Sequence, residues 1–242
     1  MYEREHAPRA EGAEELRREF TANVSHELKT PITSISGYAE MMVSGLARRE
    51  DWPRLAEKIY AESRRLITLI DDIIRLSRLD EGSIRENPVS VDLAAAARRC
   101  AERLEVEAER CRVTVTVSGP GATVLGNAPL IDEMLTNLAD NAIKYNREGG
   151  RVIIRTGERE GCPYFSVEDN GIGIAPEHLG RVFERFYRVD KSRSKDTGGT
   201  GLGLSIVKHA AAWHHASIEA ESAPEKGTRI SIFFDGKGGE QA

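Results

Sequence analysis

The sequence predicts an α + α/β molecule: an amphipathic helical hairpin in the first third, then an α/β sandwich with one sheet faced by helices. Three observations carry this. Apolar residues recur at steps of three and four over roughly residues 14–82. From Asp92 onward, β-branched runs alternate with helical patterns and Gly/Pro turns. The chain has 242 residues, 40% of them apolar and 30% charged, enough for one large or two modest cores.

The elements follow in order. Residues 1–13 are polar and form a tail or a helix extension. Leu16, Phe20, Val24, Leu28, Ile32, Ile35, Ala39 and Met42 make one stripe, which ends at Ser44-Gly45. Asp51 caps a second helix with Pro53 in its first turn and the stripe Leu55, Ile59, Leu66, Ile70, Ile73. A lone hairpin covers one side of each helix, so the remaining apolar surface calls for a second copy and a dimeric four-helix bundle. Residues 83–90 read as a linker, and residues 91–242 as the sandwich.

Within the sandwich, Asp92 to Glu109 is a helix. Val113 to Val117 and Thr123 to Leu125 are strands around a Gly119-Pro120-Gly121 turn. Asn127 caps a helix to Lys144, and Arg151–Thr156 and Tyr164–Glu168 are strands. A helix spans Thr200 to Trp213, and strands at Ser217–Ala220 and Thr228–Phe234 close the chain.

Bulk properties exclude several classes. The net charge of −5 argues against non-specific nucleic-acid binding, which needs a basic surface. No apolar run approaches the roughly 18 residues of a membrane-spanning helix, and Met1–His6 lacks the apolar core of a secretion signal, so the chain as given reads as cytoplasmic, either by itself or as the soluble portion of a longer membrane protein. Cys100, Cys111 and Cys162 form no Cys-x-x-Cys pair and read as ordinary buried thiols of a reducing compartment.

Two distant stretches then suggest phosphoryl chemistry. Phe20-Thr21-Ala22-Asn23-Val24-Ser25-His26-Glu27-Leu28-Lys29-Thr30-Pro31 sets an imidazole on a helix beside a carboxylate. Glu27 can hold one ring nitrogen as N–H and leave the other free to attack. Thr30 lies one turn on, on the same face, where its hydroxyl can orient a water. Pro31 cannot donate to the Glu27 carbonyl. Its kink either shapes a bundle helix or permits movement near His26, and the sequence does not separate the two.

The second stretch is the cluster Gly199, Thr200, Gly201, Leu202, Gly203 at a helix start, where open N–H groups suit phosphate oxygens. It is not a Walker A loop, since no Gly-Lys-Ser/Thr follows. Asn137 and Asn141 share a helix face, and their amide oxygens suit Mg2+; Lys144 can neutralise phosphate and Tyr145 can hydrogen-bond it. Taken alone, this block equally suits a polar helix edge. Asp169, in Asp169-Asn170-Gly171-Ile172-Gly173, can accept from the 6-amino group of adenine and would repel guanine's 6-oxo group, or the block is an Asx turn with permissive glycines. Phe183-Glu184-Arg185-Phe186-Tyr187-Arg188 offers Arg188 to a γ-phosphate. Val189 to Thr197, with Lys191, Arg193 and Lys195, is either a basic lid or a solvated loop.

In this order the blocks resemble the H, N, G1, F and G2 boxes of sensor histidine kinases, over about residues 14–234. The resemblance implies a dimerisation and histidine-phosphotransfer hairpin over 14–82 and an ATP-binding sandwich of the Bergerat (GHKL) type over 91–242. It implies that His26 accepts a phosphoryl group from ATP with Mg2+ and passes it to an aspartate of a response regulator. By position it makes Glu27 the activating carboxylate and Thr30 a residue of regulator dephosphorylation. Asn141 becomes the magnesium asparagine supported by Asn137, and Asp169 the adenine reader with Thr228 behind it. Gly171 and Gly173 belong to the nucleotide site. The chain departs from the family pattern at Gly126-Asn127, where Gly-Asp is common, and at His214-His215-Ala216, where His-Gly-Gly is common. Losing glycine at a tight helix end is expected to cost about 1 kcal/mol if φ must be positive.

Overall fold

The structure, a computed structural model, describes residues 7–80, 88–189 and 199–235. The chain divides into two compact units, Met1–Ile74 and Arg75–Ala242. Of the expected tail or helix extension over 1–13, residues 7–13 belong to a helix, while residues 1–6, the linker core and most of the basic Val189–Thr197 segment lie outside the described residues.

The first unit is a hairpin. Helix α1 (Ala7–Val43) runs through Pro31 without a break and stops at Ser44-Gly45, where Gly45 has φ 75°. Asp51 ends a 3-10 turn (Arg49–Asp51) that feeds directly into α2 (Trp52–Asp80), so α2 starts at the residue after Asp51 with Pro53 in its first turn. Leu55 and Leu69 are buried, with Ile59, Leu66 and Ile73 half-buried beside them. Ile70, placed in that stripe by spacing, is instead exposed, as are Ile32, Met41, Tyr60, Ile67 and Ile74. The hairpin thus leaves apolar side chains of both helices uncovered.

In the second unit the sequence signals map closely onto elements. Strand β1 (Val89–Asp92) takes up residues 89 and 90, which had been assigned to the linker, and pairs antiparallel with β3 (Thr123–Gly126). Asp92 then caps α3 (Leu93–Arg110), its carboxylate accepting from Ala94 and Ala95 N–H at 2.8 and 3.0 Å. Asn127 caps α4 (Ala128–Lys144) by accepting from Leu130 N–H at 3.0 Å, with Pro129 in the first turn. The main sheet contains β2 (Thr114–Ser118), β4 (Arg151–Arg159), β5 (Cys162–Asp169), β6 (Ser217–Ala223) and β7 (Gly227–Phe233), ordered β2-β4-β5-β7-β6. Only β2–β4 is parallel. A short α5 (Pro176–Leu179) and α6 (Gly203–Trp213) complete the unit; α6 begins three residues later than Thr200.

The sheet has two unlike faces. Val152, Ile154, Phe165, Val167, Ile230 and Ile232 are buried on one, with α3, α4 and α6 contributing Ala97, Met134, Leu135, Val207 and Ala210 to the same core. On the other, Arg155, Glu168, Arg229 and Glu221 alternate in sign across neighbouring strands. Burial alone would raise the Glu168 carboxyl, but hydrogen bonds from Arg229 and Arg155 and their charges outweigh it and hold it low. Cys100 is buried, Cys111 and Cys162 are half-buried, and all three are free thiols. Burial pushes the Cys100 thiol up, away from reactivity.

Candidate functional site

In the hairpin, His26 sits exposed on α1. Glu27 does not close on the imidazole in this arrangement. Its carboxylate lies 3.8 Å from the Arg65 guanidinium of α2. Thr30 donates its hydroxyl to the His26 carbonyl at 3.2 Å, and Thr33 donates to Lys29 at 2.8 Å. The turn thus carries side-chain hydrogen bonds around the point where Pro31 cannot donate to Glu27. Arg65 lies 38 positions from Glu27, and no local spacing pointed to it.

In the second unit the glycine cluster is where the motifs meet. A Cβ at Gly203 would stand 2.8 Å from the Asn137 amide oxygen. At Gly201 (φ 75°) it would stand 3.0 Å from the Phe186 Cα, and Phe186 N–H donates to the Gly201 carbonyl at 2.9 Å. At Gly199 it would touch the Tyr145 hydroxyl at 3.5 Å and the Arg188 guanidinium at 4.0 Å. Three alternate glycines therefore bring the α4 asparagine, the Phe186 loop and the Tyr145/Arg188 pair to one place. Thr200 is buried beneath them, its hydroxyl accepting from Leu202 N–H at 3.3 Å, and Leu202 is fully buried.

The α4 side chains divide by what they already hold. Asn137 donates to the Glu133 carbonyl at 3.1 Å, which leaves its amide oxygen toward Gly203. Asn141 makes no side-chain hydrogen bond among the described residues, so its amide oxygen and NH2 are both unengaged. Lys144, expected to meet phosphate, pairs with Asp140 one turn back at 2.6 Å. The donor set fits Mg2+, because neutral amide oxygens are hard ligands of the kind this ion takes; no group of three or more His, Cys, Asp or Glu that could hold a metal ion occurs among the described residues.

Asp169 closes the other end. Burial raises its carboxyl above the ordinary range, opposed by the N–H groups of Gly171 and Thr228, with nearby Glu168 raising it further. Gly171 N–H donates to it at 2.8 Å. A Cβ at Gly171 would fall 2.4 Å from the Tyr145 carbonyl, and one at Gly173 would fall 1.9 Å from that of Ala223, so neither position admits a side chain. The β6–β7 hairpin clasps this loop: Glu225 N–H donates to Ile172 at 2.8 Å, and Ile174 N–H to the Ser222 hydroxyl at 2.8 Å. Tyr187, next to Arg188, is held from two sides. His178 Nδ1 lies 2.7 Å from the Tyr187 hydroxyl, and the Arg181 guanidinium is 4.3 Å from that ring's centre. Sequence reasoning missed Ser222, His178 and Arg181. For Ser222 a signal existed, because a three-residue turn at Pro224–Lys226 sets it opposite Thr228.

Comparison with known proteins matches this geometry. Residues 16–82 match the family model "His Kinase A (phospho-acceptor) domain" and residues 126–238 match "Histidine kinase-, DNA gyrase B-, and HSP90-like ATPase". The sensor-like histidine kinase SenX3 of Mycolicibacterium smegmatis is 43% identical over 220 residues, covering 90% of this chain and 57% of its own length. The chain thus spans little more than half of such relatives. The solved mycobacterial sensor histidine kinase MprB is 30% identical with TM-score 0.52, covering 61% of this chain and 96% of that one. Histidine kinase ThkA, solved in complex with response regulator protein TrrA, shares the fold at TM-score 0.72 and 24% identity, covering 96% of this chain and 65% of that one. The chain belongs to the sensor histidine kinase family, with a phospho-acceptor hairpin followed by a GHKL-type ATP-binding domain.

Proposed function

We propose that this chain is the catalytic core of an ATP-dependent kinase that phosphorylates its own His26 and passes the group to an aspartate of a response regulator in the cytoplasm. The observation that carries this reading is the convergence of Asn137, Phe186, Tyr145 and Arg188 on Gly199, Gly201 and Gly203. A triphosphate running from Asp169 toward the start of α6 would pass all of them.

His26 is the nucleophile, and its exposure on α1 leaves a ring nitrogen open to in-line attack. Glu27 fixes the imidazole tautomer once it exchanges Arg65 for the ring. Asp169 reads the 6-amino group, the glycine N–H groups and Arg188 hold phosphate oxygens, and Tyr145 adds a hydroxyl. Lys144 shares its charge between Asp140 and the phosphates. Asn141, supported by Asn137, would hold Mg2+, which supplies charge neutralisation for the transferring phosphoryl group. His26 belongs to one unit and the nucleotide residues to the other, so a single imidazole that meets both ATP and a regulator requires the two units to move. Thr30 makes the same hairpin a phosphatase of the regulator when its hydroxyl leaves the His26 carbonyl for a water.

The exposed stripe Ile67, Ile70, Ile74 supports a homodimer through the hairpin. The ThkA complex supports a receiver-domain partner, and among the described residues no helix is long and apolar enough to cross a membrane. An ATP-hydrolysing relative without histidine chemistry is disfavoured by the amide at Asn137, where a carboxylate base would be needed. Incubating labelled protein with a panel of receiver domains tests the function. Label should move to one of them and be lost when its acceptor aspartate is replaced; label that never leaves the kinase contradicts the reading.

A further inference from the structure

Asp169, Thr228 and Ser222 lie in one row across three strands. Glu168 pairs with Arg229, so the next step of the same register sets Asp169 opposite Thr228, and Thr228 pairs with Ser222. Val152, paired with Asp169, is fully buried, so the row faces the helical layer and not the charged face.

The Ser222 hydroxyl makes three contacts. It receives Ile174 N–H at 2.8 Å, donates to the Gly227 carbonyl at 2.9 Å, and lies 2.8 Å from the Thr228 hydroxyl. A hydroxyl has one proton. A carbonyl can only accept, so the serine's proton belongs to Gly227. An N–H can only donate, so Ile174 fills one serine lone pair. The contact with Thr228 is then a hydrogen bond only if Thr228 donates. This committed proton leaves Thr228 as an acceptor alone, beside the Asp169 carboxylate, which also only accepts.

We propose that Ser222 is a positioning residue for base specificity: by fixing the Thr228 proton it makes this edge of the pocket read a 6-amino purine triphosphate and reject a 6-oxo one. The inference rests on the reading that a purine triphosphate binds beside Asp169. Adenine brings two N–H groups to two acceptors, directly or through a water. A 6-oxo purine brings an oxygen beside a single N1–H, so one of the two acceptors is left facing an oxygen, and with Ser222 in place no hydroxyl there can turn to donate to it. Removing the serine frees Thr228 to rotate and donate.

The test is equilibrium binding of ATP and inosine triphosphate, with magnesium, to the whole chain. These nucleotides differ only at the 6-position and the adjacent ring nitrogen. Wild type should prefer ATP. Ser222→Ala should reduce the ATP-to-ITP preference by about tenfold, the worth of one repulsive contact turned attractive at a buried polar edge. It also removes the acceptor for Ile174, but that loosening weakens both nucleotides alike and cancels in the ratio. Ser222→Thr keeps the hydroxyl and should keep the wild-type ratio. If Ser222→Ala does not fold by circular dichroism, Ser222→Cys, with its weak thiol acceptor, should shift the ratio the same way. A ratio unchanged in the alanine variant, or shifted equally in the threonine variant, overturns the proposal. Wild type that binds neither nucleotide overturns instead the reading of the site on which it rests.

Discussion

His215 shows how a single residue can carry backbone strain. It ends α6 with φ 53°, the left-handed region that glycine occupies freely. The expected need for a positive φ at this turn is thus met by a non-glycine residue. His215→Gly should stabilise the protein by about 0.5–1 kcal/mol, seen as a higher melting temperature. No gain would mean that the side chain recovers the strain elsewhere.

His214, its neighbour, is a structural histidine. Its Nε2 accepts from Asn127 N–H at 3.0 Å, so Nδ1 carries the proton and donates to the Ala210 carbonyl at 2.7 Å. Burial lowers its pKa, partly opposed by the Ala210 bond and reinforced by His215. A group whose folded pKa is depressed binds fewer protons when folded. Its stabilisation is therefore full above the unfolded value of about 6.5 and fades as pH falls below it. Melting curves from pH 8 to 5 should show this loss in wild type and a shallower one in His214→Gln. Parallel curves would contradict it.

Asp169 titrates with function. Burial raises its carboxyl, so the ionised acceptor is lost on acidification earlier than an ordinary aspartate would be. ATP affinity should fall as pH drops toward that raised value, and Asp169→Asn should abolish the shift in melting temperature given by MgATP. A persisting full shift would displace Asp169 from the base-reading role.

At the scale of elements, Gly201 joins two motifs. Its φ of 75° strains any side chain, and a Cβ there would stand 3.0 Å from the Phe186 Cα, so the Phe186 backbone would have to shift. Gly201→Ala should weaken ATP at least tenfold, by displacing the Phe186 loop and with it Arg188, while leaving the hairpin's oligomeric state unchanged. Titration of MgATP into the variant checks the first, and light scattering the second. Equal affinity would mean that the loop holds Arg188 without this contact.

What could be read from sequence at this scale depended on how local the signal was. The start and end of α4 were legible because Asn127, Pro129 and the apolar spacing act within one helix. Strand β1 was not: four residues form it only by pairing with β3, more than thirty positions away. The four-residue α5 is too short for a period. The meeting of the glycine cluster with Asn137 and Phe186 was legible as co-occurring motifs, but which glycine faces which motif was not, since that depends on packing. Ile70 was misplaced because α2 carries apolar residues on two sides, and spacing cannot tell which side the same chain covers.

At the scale of the molecule, that second side predicts the assembly. Ile67, Ile70 and Ile74 recur at three- and four-residue steps and are all exposed in the single chain. Ile67→Glu with Ile70→Glu should convert a dimer into a monomer in size-exclusion light scattering, with the nucleotide unit still folded. A dimer that survives both charges would place the interface elsewhere.

In the proposed mechanism the exposed imidazole of one unit and the triphosphate cradle of the other serve one reaction. Incubation of the purified chain with magnesium and γ-labelled ATP tests this most directly. The label should be stable to base, labile to acid, and absent from His26→Gln; label that survives that substitution, or that is never acquired by wild type, would contradict the account.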